Sequence, residues 1–209
     1  LGMQNNYGGF TDCDYDFGGT DSLPNVHVAV TALAGMAMVE SKARHPENDP
    51  IQKRLDEAIH NAVQYVTTPE HLNLADKDEL FWAFAYRMRF IAKVCQTRPE
   101  LKETLQQMVH NMESLQHQSG AWFHEYRNPF VTASALVALK EADESGAVVS
   151  KGVIAQGLDA LQHDRFRNGA YPYSTRRPND NAAEAEAQKA GQEIDVAASA
   201  GRMPLCELG

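Results

Sequence analysis

The chain has 209 residues, 43% of them hydrophobic and 22% charged, enough for one well-buried domain of ordinary soluble composition. Its net charge of −9 argues against nucleic acid, which needs a basic surface, and against polybasic attachment to anionic lipid. Three scattered cysteines, Cys13, Cys95 and Cys206, give neither a disulfide framework nor a cysteine-rich zinc site.

Residues 11–24 form an Asp- and Gly-rich loop that cannot be helical. From Asn25 or Pro24 a helix starts over His27–Ser41, and its lack of a polar face predicts burial on all sides. Even so, no apolar run reaches the roughly 18–20 residues needed to cross a bilayer. The segment from His45 to Pro50 breaks the helix. Ile51–Val66 is amphipathic, with Leu55, Ile59, Ala62, Val63 and Val66 at helical spacing, and reads as an outer helix. Leu80–Cys95 is again nearly all apolar and inner. Pro99–Leu115 is outer, Val131–Ala142 inner, Val153–Leu161 outer, and Val196–Leu208 inner with Pro204 a kink. Residues 176–193, rich in Ala, Glu, Gln and Asn, are left unassigned. Two helix types alternating along the chain predict an all-α fold in two layers.

A short motif recurs where an outer helix hands over to an inner one. It reads Gln4 to Gly8 to Phe10, then Gln116 to Gly120 to Trp122, and a third time with Gln162, an inserted loop, Gly169 and Tyr171. The glycine suits a helix end that needs positive φ. Glutamines 116 and 162 are 46 residues apart, close to the period of helical-pair repeats. The pattern Gln-x-x-x-Gly-x-Trp/Phe resembles the repeat of squalene/hopene cyclases and of the wider superfamily that includes protein prenyltransferase β-subunits. The resemblance covers nearly the whole chain and implies an α/α toroid, in which six helical pairs close around a central cavity. About four inner helices are present here, so residues 1–209 read as one repeat domain, a partial toroid belonging to a longer chain.

In that family the inner helices begin at the mouth of the cavity. The candidates at those starts are Asn25, His27, Asp76, Asp78, Glu79, Asn128, Phe130 and Asp195. The segment Asp76-Lys77-Asp78-Glu79 resembles the Asp-x-Asp-Asp acid motif of the cyclases, with Glu for the last Asp. The resemblance implies that Asp78 donates the initiating proton and that Asp76 and Glu79 support it, because crowded carboxylates raise one another's pKa. Phe81, Trp82 and Tyr86 would stabilise the resulting cation, with His27 and Phe130 completing the substrate surface. The plainer reading is that acids in a helix's first turn offset the macrodipole.

In prenyltransferase β-subunits a His at an inner-helix start binds zinc with an Asp and a Cys from other repeats. Asp12-Cys13-Asp14 supplies both types before His27, in the wrong spacing and the same repeat, so no metal ligand set is assigned. Asp12, Asp14 and Asp16 have calcium-type alternation; Phe17 and Leu23 stand where an EF-hand needs Gly and Glu, which leaves a generic acidic loop or a calcium site of another kind as the alternatives. His124-Glu125-Tyr126-Arg127 and Tyr171-Pro172-Tyr173 follow motif aromatics on the same rim. No nucleophile elbow, phosphate loop or His-Glu-x-x-His helix occurs, and no cofactor is indicated.

Two expectations follow. The resemblance implies an isoprenoid-handling protein with a central apolar cavity, working by acid-initiated cyclisation or prenyl transfer. The departures from the acid and zinc motifs favour a non-catalytic repeat scaffold that binds a protein or glycan at its rim. Unstacked repeats of an open arc would favour self-association.

Overall fold

The structure, a computed structural model, describes residues 1–11, 22–76, 78–124, 126–166, 168–172 and 203–208. The described residues are predominantly α-helical. In chain order they form α1 (Leu23–Arg44), α2 (Ile51–Thr67), α3 (Leu80–Cys95), α4 (Lys102–Ser114), α5 (Pro129–Glu144), α6 (Lys151–Asp164) and α7 (Met203–Leu208). Short 3₁₀ turns at Pro69–His71 and Pro99–Leu101 lead towards α3 and α4. Phe123–His124 (β1) and Tyr126–Arg127 (β2) make a two-residue antiparallel ladder just before α5.

Helix boundaries follow local chemistry. Pro24 lies in the first turn of α1, where its missing N–H costs nothing, and Pro46 follows the extended His45 that ends the helix. In α2 the buried residues are Leu55, Ala58, Ile59, Ala62, Val63, Tyr65 and Val66, one stripe at helical spacing. In α3 most residues are buried, as an inner helix requires. Pro204 falls in the first turn of α7; residues 196–202, where a longer helix is expected, and residues 176–193 lie outside the described residues.

The expectation that α1 is buried on all sides is corrected. It packs against α2 and α3 through Val28, Ala29, Thr31, Ala32, Gly35 and Met38. Leu33, however, is 44% exposed, Ala37 is exposed, and Val26 and Val30 are only half-buried. An apolar sequence does not require that every face be covered. With 22 residues and a mean hydropathy of 1.2 over an 18-residue window, α1 is also the one described helix long and apolar enough to cross a membrane by length and composition. The buried Asn25 and Thr31 and its packing on two other helices are features of a core helix.

The chain groups into two compact units: residues 1–111 with 141–148, and residues 112–140 with 149–209. In the first, Val28 and Ala32 of α1, Val66 of α2, and Met88, Phe90 and Ile91 of α3 are fully buried. Gly35 lets α3 come close, for a Cβ there would lie 2.5 Å from Phe90 Cζ. Arg89 is bidentate to Glu141, at 2.9 and 2.8 Å. In the second, Trp122 is wholly buried among a core that includes Val131, Leu139, Ala160 and Leu161, and its Nε1–H donates to the Met112 carbonyl at 2.8 Å.

The repeated motif is one backbone turn used in both units. In the first, the Asn5 N–H donates to the Gly9 carbonyl (2.9 Å) and the Gly8 N–H to the Asn5 carbonyl (3.0 Å). In the second, His117 and Ala121 pair likewise at 2.9 Å, and Gly120 and His117 at 2.8 Å. The glutamine preceding each turn ties it to the following outer helix. Gln4 Nε2 donates to the carbonyls of Gly8 and Ala58, and Gln116 Nε2 to those of Gly120 and Val153, all at 2.9 Å. The aromatic's own N–H is held by a buried threonine hydroxyl from the next inner helix, Phe10 by Thr31 (2.9 Å) and Trp122 by Thr132 (3.2 Å).

The third copy is corrected by the same bonds. Phe166 donates to the Ala170 carbonyl and Gly169 to the Phe166 carbonyl, both at 2.9 Å. The motif position is therefore Arg165, three residues after Gln162, with full spacing to Gly169 and Tyr171 and no inserted loop. Gln162 lies within α6 and is not the motif position. Arg165 stands 49 residues beyond Gln116 and replaces the glutamine tie with an ion pair to Glu207 of α7, at 2.9 Å.

Candidate functional site

The acid cluster lies between the Pro69–His71 turn and α3, in the first unit. Asp76 is only 4% exposed, and the sequence places it two residues before Asp78, where an Asp side chain bonds back to its own backbone. Its Oδ1 accepts from the Asp78 N–H (2.9 Å) and the Ser22 hydroxyl (3.2 Å), and its Oδ2 from Asn25 Nδ2 (2.7 Å). The Glu79 N–H lies 3.3 and 3.4 Å from the two oxygens. Asn25 completes the knot, since its Nδ2 also donates to the Asn73 carbonyl (2.9 Å) while its Oδ1 accepts from the Asn73 N–H (3.1 Å). The start of α1 is thus laced to the approach to α3 through buried polar groups, each of them satisfied. Every partner of Asp76 is a donor, so the arrangement uses it as an acceptor.

Asp78 and Glu79 are half-buried beside it. One turn on, Phe81 is buried while Trp82 and Tyr86 are half-buried. Phe81 meets Trp82 edge-on at 5.0 Å, and Trp82 stacks on Tyr86 with centroids 6.1 Å apart. His27 is half-buried in the first turns of α1; its Nε2 is enclosed without a hydrogen-bond partner, and burial pulls its pKa below the usual imidazole value. Phe130 belongs to the second unit, where it is half-buried and its N–H is capped by Asn128 Oδ1 at 2.9 Å. The structure therefore brings Asp76, Asp78, Glu79 and the aromatics of α3 into one segment.

Asp12, Cys13, Asp14 and Asp16 lie outside the described residues, as do Lys77, Glu125, Tyr173 and Asp195. Among the described residues no three His, Cys, Asp or Glu side chains gather as a metal site. Cys95 and Cys206 are buried, and burial raises the Cys95 thiol pKa, the condition of an unreactive packed cysteine. On the rim before α5, Arg127 is bidentate to Asp164 at 2.8 and 3.2 Å, and Asp164 is almost fully buried. That pair closes the end of α6.

One residue was not singled out from sequence. Arg87, in the middle of α3, is 6% exposed and lies in the wall of a cleft of about 510 Å³ in the first unit. The signal was a charge in a mostly apolar inner helix that also carries Arg89 and Lys93, since buried helices rarely hold charge without a reason.

Compared with models of protein families, with curated proteins and with solved structures, the chain matches none.

Proposed function

We propose that the chain is a non-catalytic helical-repeat binding module, built as an arc of an α/α toroid, in which the acid cluster holds the fold. The observation that carries this reading is the use of Asp76. Both of its oxygens are occupied by Ser22, Asn25 and backbone N–H groups, and those contacts join α1 to the start of α3. In the acid-motif reading Asp76 supports the proton of Asp78; here its enclosed carboxylate is taken up in tying two helices together.

A second reading, acid-initiated handling of an isoprenoid, has one observation in its favour. Asp78 and Glu79 stand just before the half-exposed Trp82–Tyr86 stack, a pairing of acid and aromatic faces suited to a carbocation. In that reading Asp78 is the acid and Phe81, Trp82 and Tyr86 the cation-stabilising wall.

Two measurements separate these readings. Asp76→Ala strands several buried donors and is expected to destabilise by about 2–4 kcal/mol in chemical denaturation. The wild-type chain, incubated with squalene or geranylgeranyl diphosphate, is expected to give no product by mass spectrometry. A product that disappears in Asp78→Asn would establish the second reading and end the first. Calorimetric titration with calcium tests the loop from Asp12 to Asp16 separately.

A further inference from the structure

Arg87 is a buried cation without a counter-charge. Its Nε has no hydrogen-bond partner, and its guanidinium lies over the Phe84 ring, 4.5 Å from the centroid. No ion pair to it forms among the described residues. Desolvation alone acts on it, lowering its pKa to about 10, so it stays protonated at neutral pH. A buried charge of this kind costs stability unless something pairs with it, and an arginine fork fits a carboxylate best.

The surroundings define what the partner would look like. The cleft, at about 510 Å³, falls within the ~300–1,000 Å³ typical of small-molecule sites. Leu72, Leu74, Phe84 and Met108 give it an apolar wall, while Thr104 and Asn111 add neutral polar groups. Glu100 and Glu103 also line it and are both exposed, which places negative charge at its mouth. Two carboxylates there oppose a phosphate or diphosphate far more than a singly charged ligand.

We propose that this cleft binds a small monocarboxylate with an apolar tail, its carboxylate paired with Arg87 and its tail laid along Leu72, Phe84 and Met108. The site goes beyond the scaffold reading and does not depend on it, since neither Asp76 nor Asp78 lines the cleft.

The test is calorimetry on the full chain with butanoate, hexanoate and octanoate, against octylamine and inorganic phosphate. Binding is expected to strengthen with tail length, with no uptake of octylamine or phosphate. Arg87→Met should fold, because replacing a buried unpaired ion by an apolar side chain is often neutral or stabilising, and should bind octanoate at least about tenfold more weakly. Circular dichroism checks the fold. Should Arg87→Met not fold, Arg87→Lys keeps the charge, loses the fork, and should weaken binding in the same direction. The proposal is overturned if no carboxylate binds the wild type, if Arg87→Met or Arg87→Lys binds octanoate as tightly, or if phosphate binds in place of the carboxylates.

Discussion

In the first unit the motif turn carries glycine where the second carries alanine, and the outer helices answer with opposite sizes. The carbonyls that Gln4 and Gln116 reach, Ala58 and Val153, put α2 and α6 in register, so that Tyr65 corresponds to Ala160 and Ala62 to Gly157. Gly9 faces Tyr65, and a Cβ at Gly9 would lie 2.5 Å from the tyrosine ring. At the matching place in the second unit, Ala121 accompanies Ala160. The exchange runs the same way at the motif aromatic: Phe10 goes with Ala62, whereas the larger Trp122 goes with Gly157, whose added Cβ would lie 2.9 Å from the indole. What repeats is the backbone frame, the glutamine tie and the threonine clasp. Side-chain volume is free to move from turn to helix, provided the total fills the same space.

The largest expected effect tests the frame itself. At Gly8 and Gly120 the backbone has φ of 89° and 79°, and a Cβ would sit 2.2 Å from the carbonyl oxygen of Asn61 or Gln156. Alanine at either position meets backbone that cannot step aside, so each substitution should cost about 3–5 kcal/mol. Gly169 of the third turn has φ of 85°, yet among the described residues the nearest atom to its added Cβ is the Arg165 guanidinium at 3.6 Å. Gly169→Ala should therefore cost only the left-handed backbone preference, about 1–2 kcal/mol. Denaturant melts of the three variants check the order. Equal losses at all three would mean that φ alone, and not the close approach of the outer helix, makes these glycines necessary.

The volume exchange is tested by moving the first unit's combination into the second. Gly157→Ala alone crowds Trp122 and Leu136 and should cost about 1–3 kcal/mol. Trp122→Phe alone leaves a void and takes one of the hydrogen bonds from the Met112 carbonyl, and should cost a similar amount. The double variant should be more stable than the sum of the single losses predicts, a favourable coupling of about 1 kcal/mol in a double-mutant cycle. Strict additivity would show that the two positions do not share one space.

Much of this frame was legible in the sequence, because helical periodicity and glycine punctuation are local signals. The bounds of α3 emerge from apolar content alone, and the first two turns from their full motif spacing. The third turn was misplaced for a physical reason. Glutamine marks the motif in the sequence, but the turn is made by backbone hydrogen bonds around Gly169, and an arginine with an acidic partner in α7 serves at the same place. The uncovered face of α1 was illegible because a helix apolar on every side carries no polar stripe to mark the outside. The acid cluster was visible as residues, not as a knot: Ser22, Asn25, Asn73 and Asp76 meet only once α1 and α3 are packed. Arg87 was hidden for the opposite reason, since an arginine in a helix reads as surface until its burial is known.

The smallest effect distinguishes the opening turns of α1 and α5. Two residues after Asn25 stands His27, and two residues after Asn128 stands Phe130, both half-buried. The imidazole carries a polar atom, Nε2, that is enclosed and unpartnered, and burial holds its pKa below 6.5. The sign follows from linkage. The unfolded chain takes up the proton first as pH falls, so the native state keeps its full advantage above the unfolded pKa and loses it progressively below, towards the depressed native value. His27→Phe copies the α5 residue and removes this titration. The difference in stability between wild type and variant should therefore be constant at neutral pH and shift in the variant's favour as pH drops through about 6.5. Urea melts of both proteins at a series of pH values measure it. A difference that stays flat through that range would mean that His27 finds a partner in solution, and that its place in α1 is as undemanding as that of Phe130 in α5.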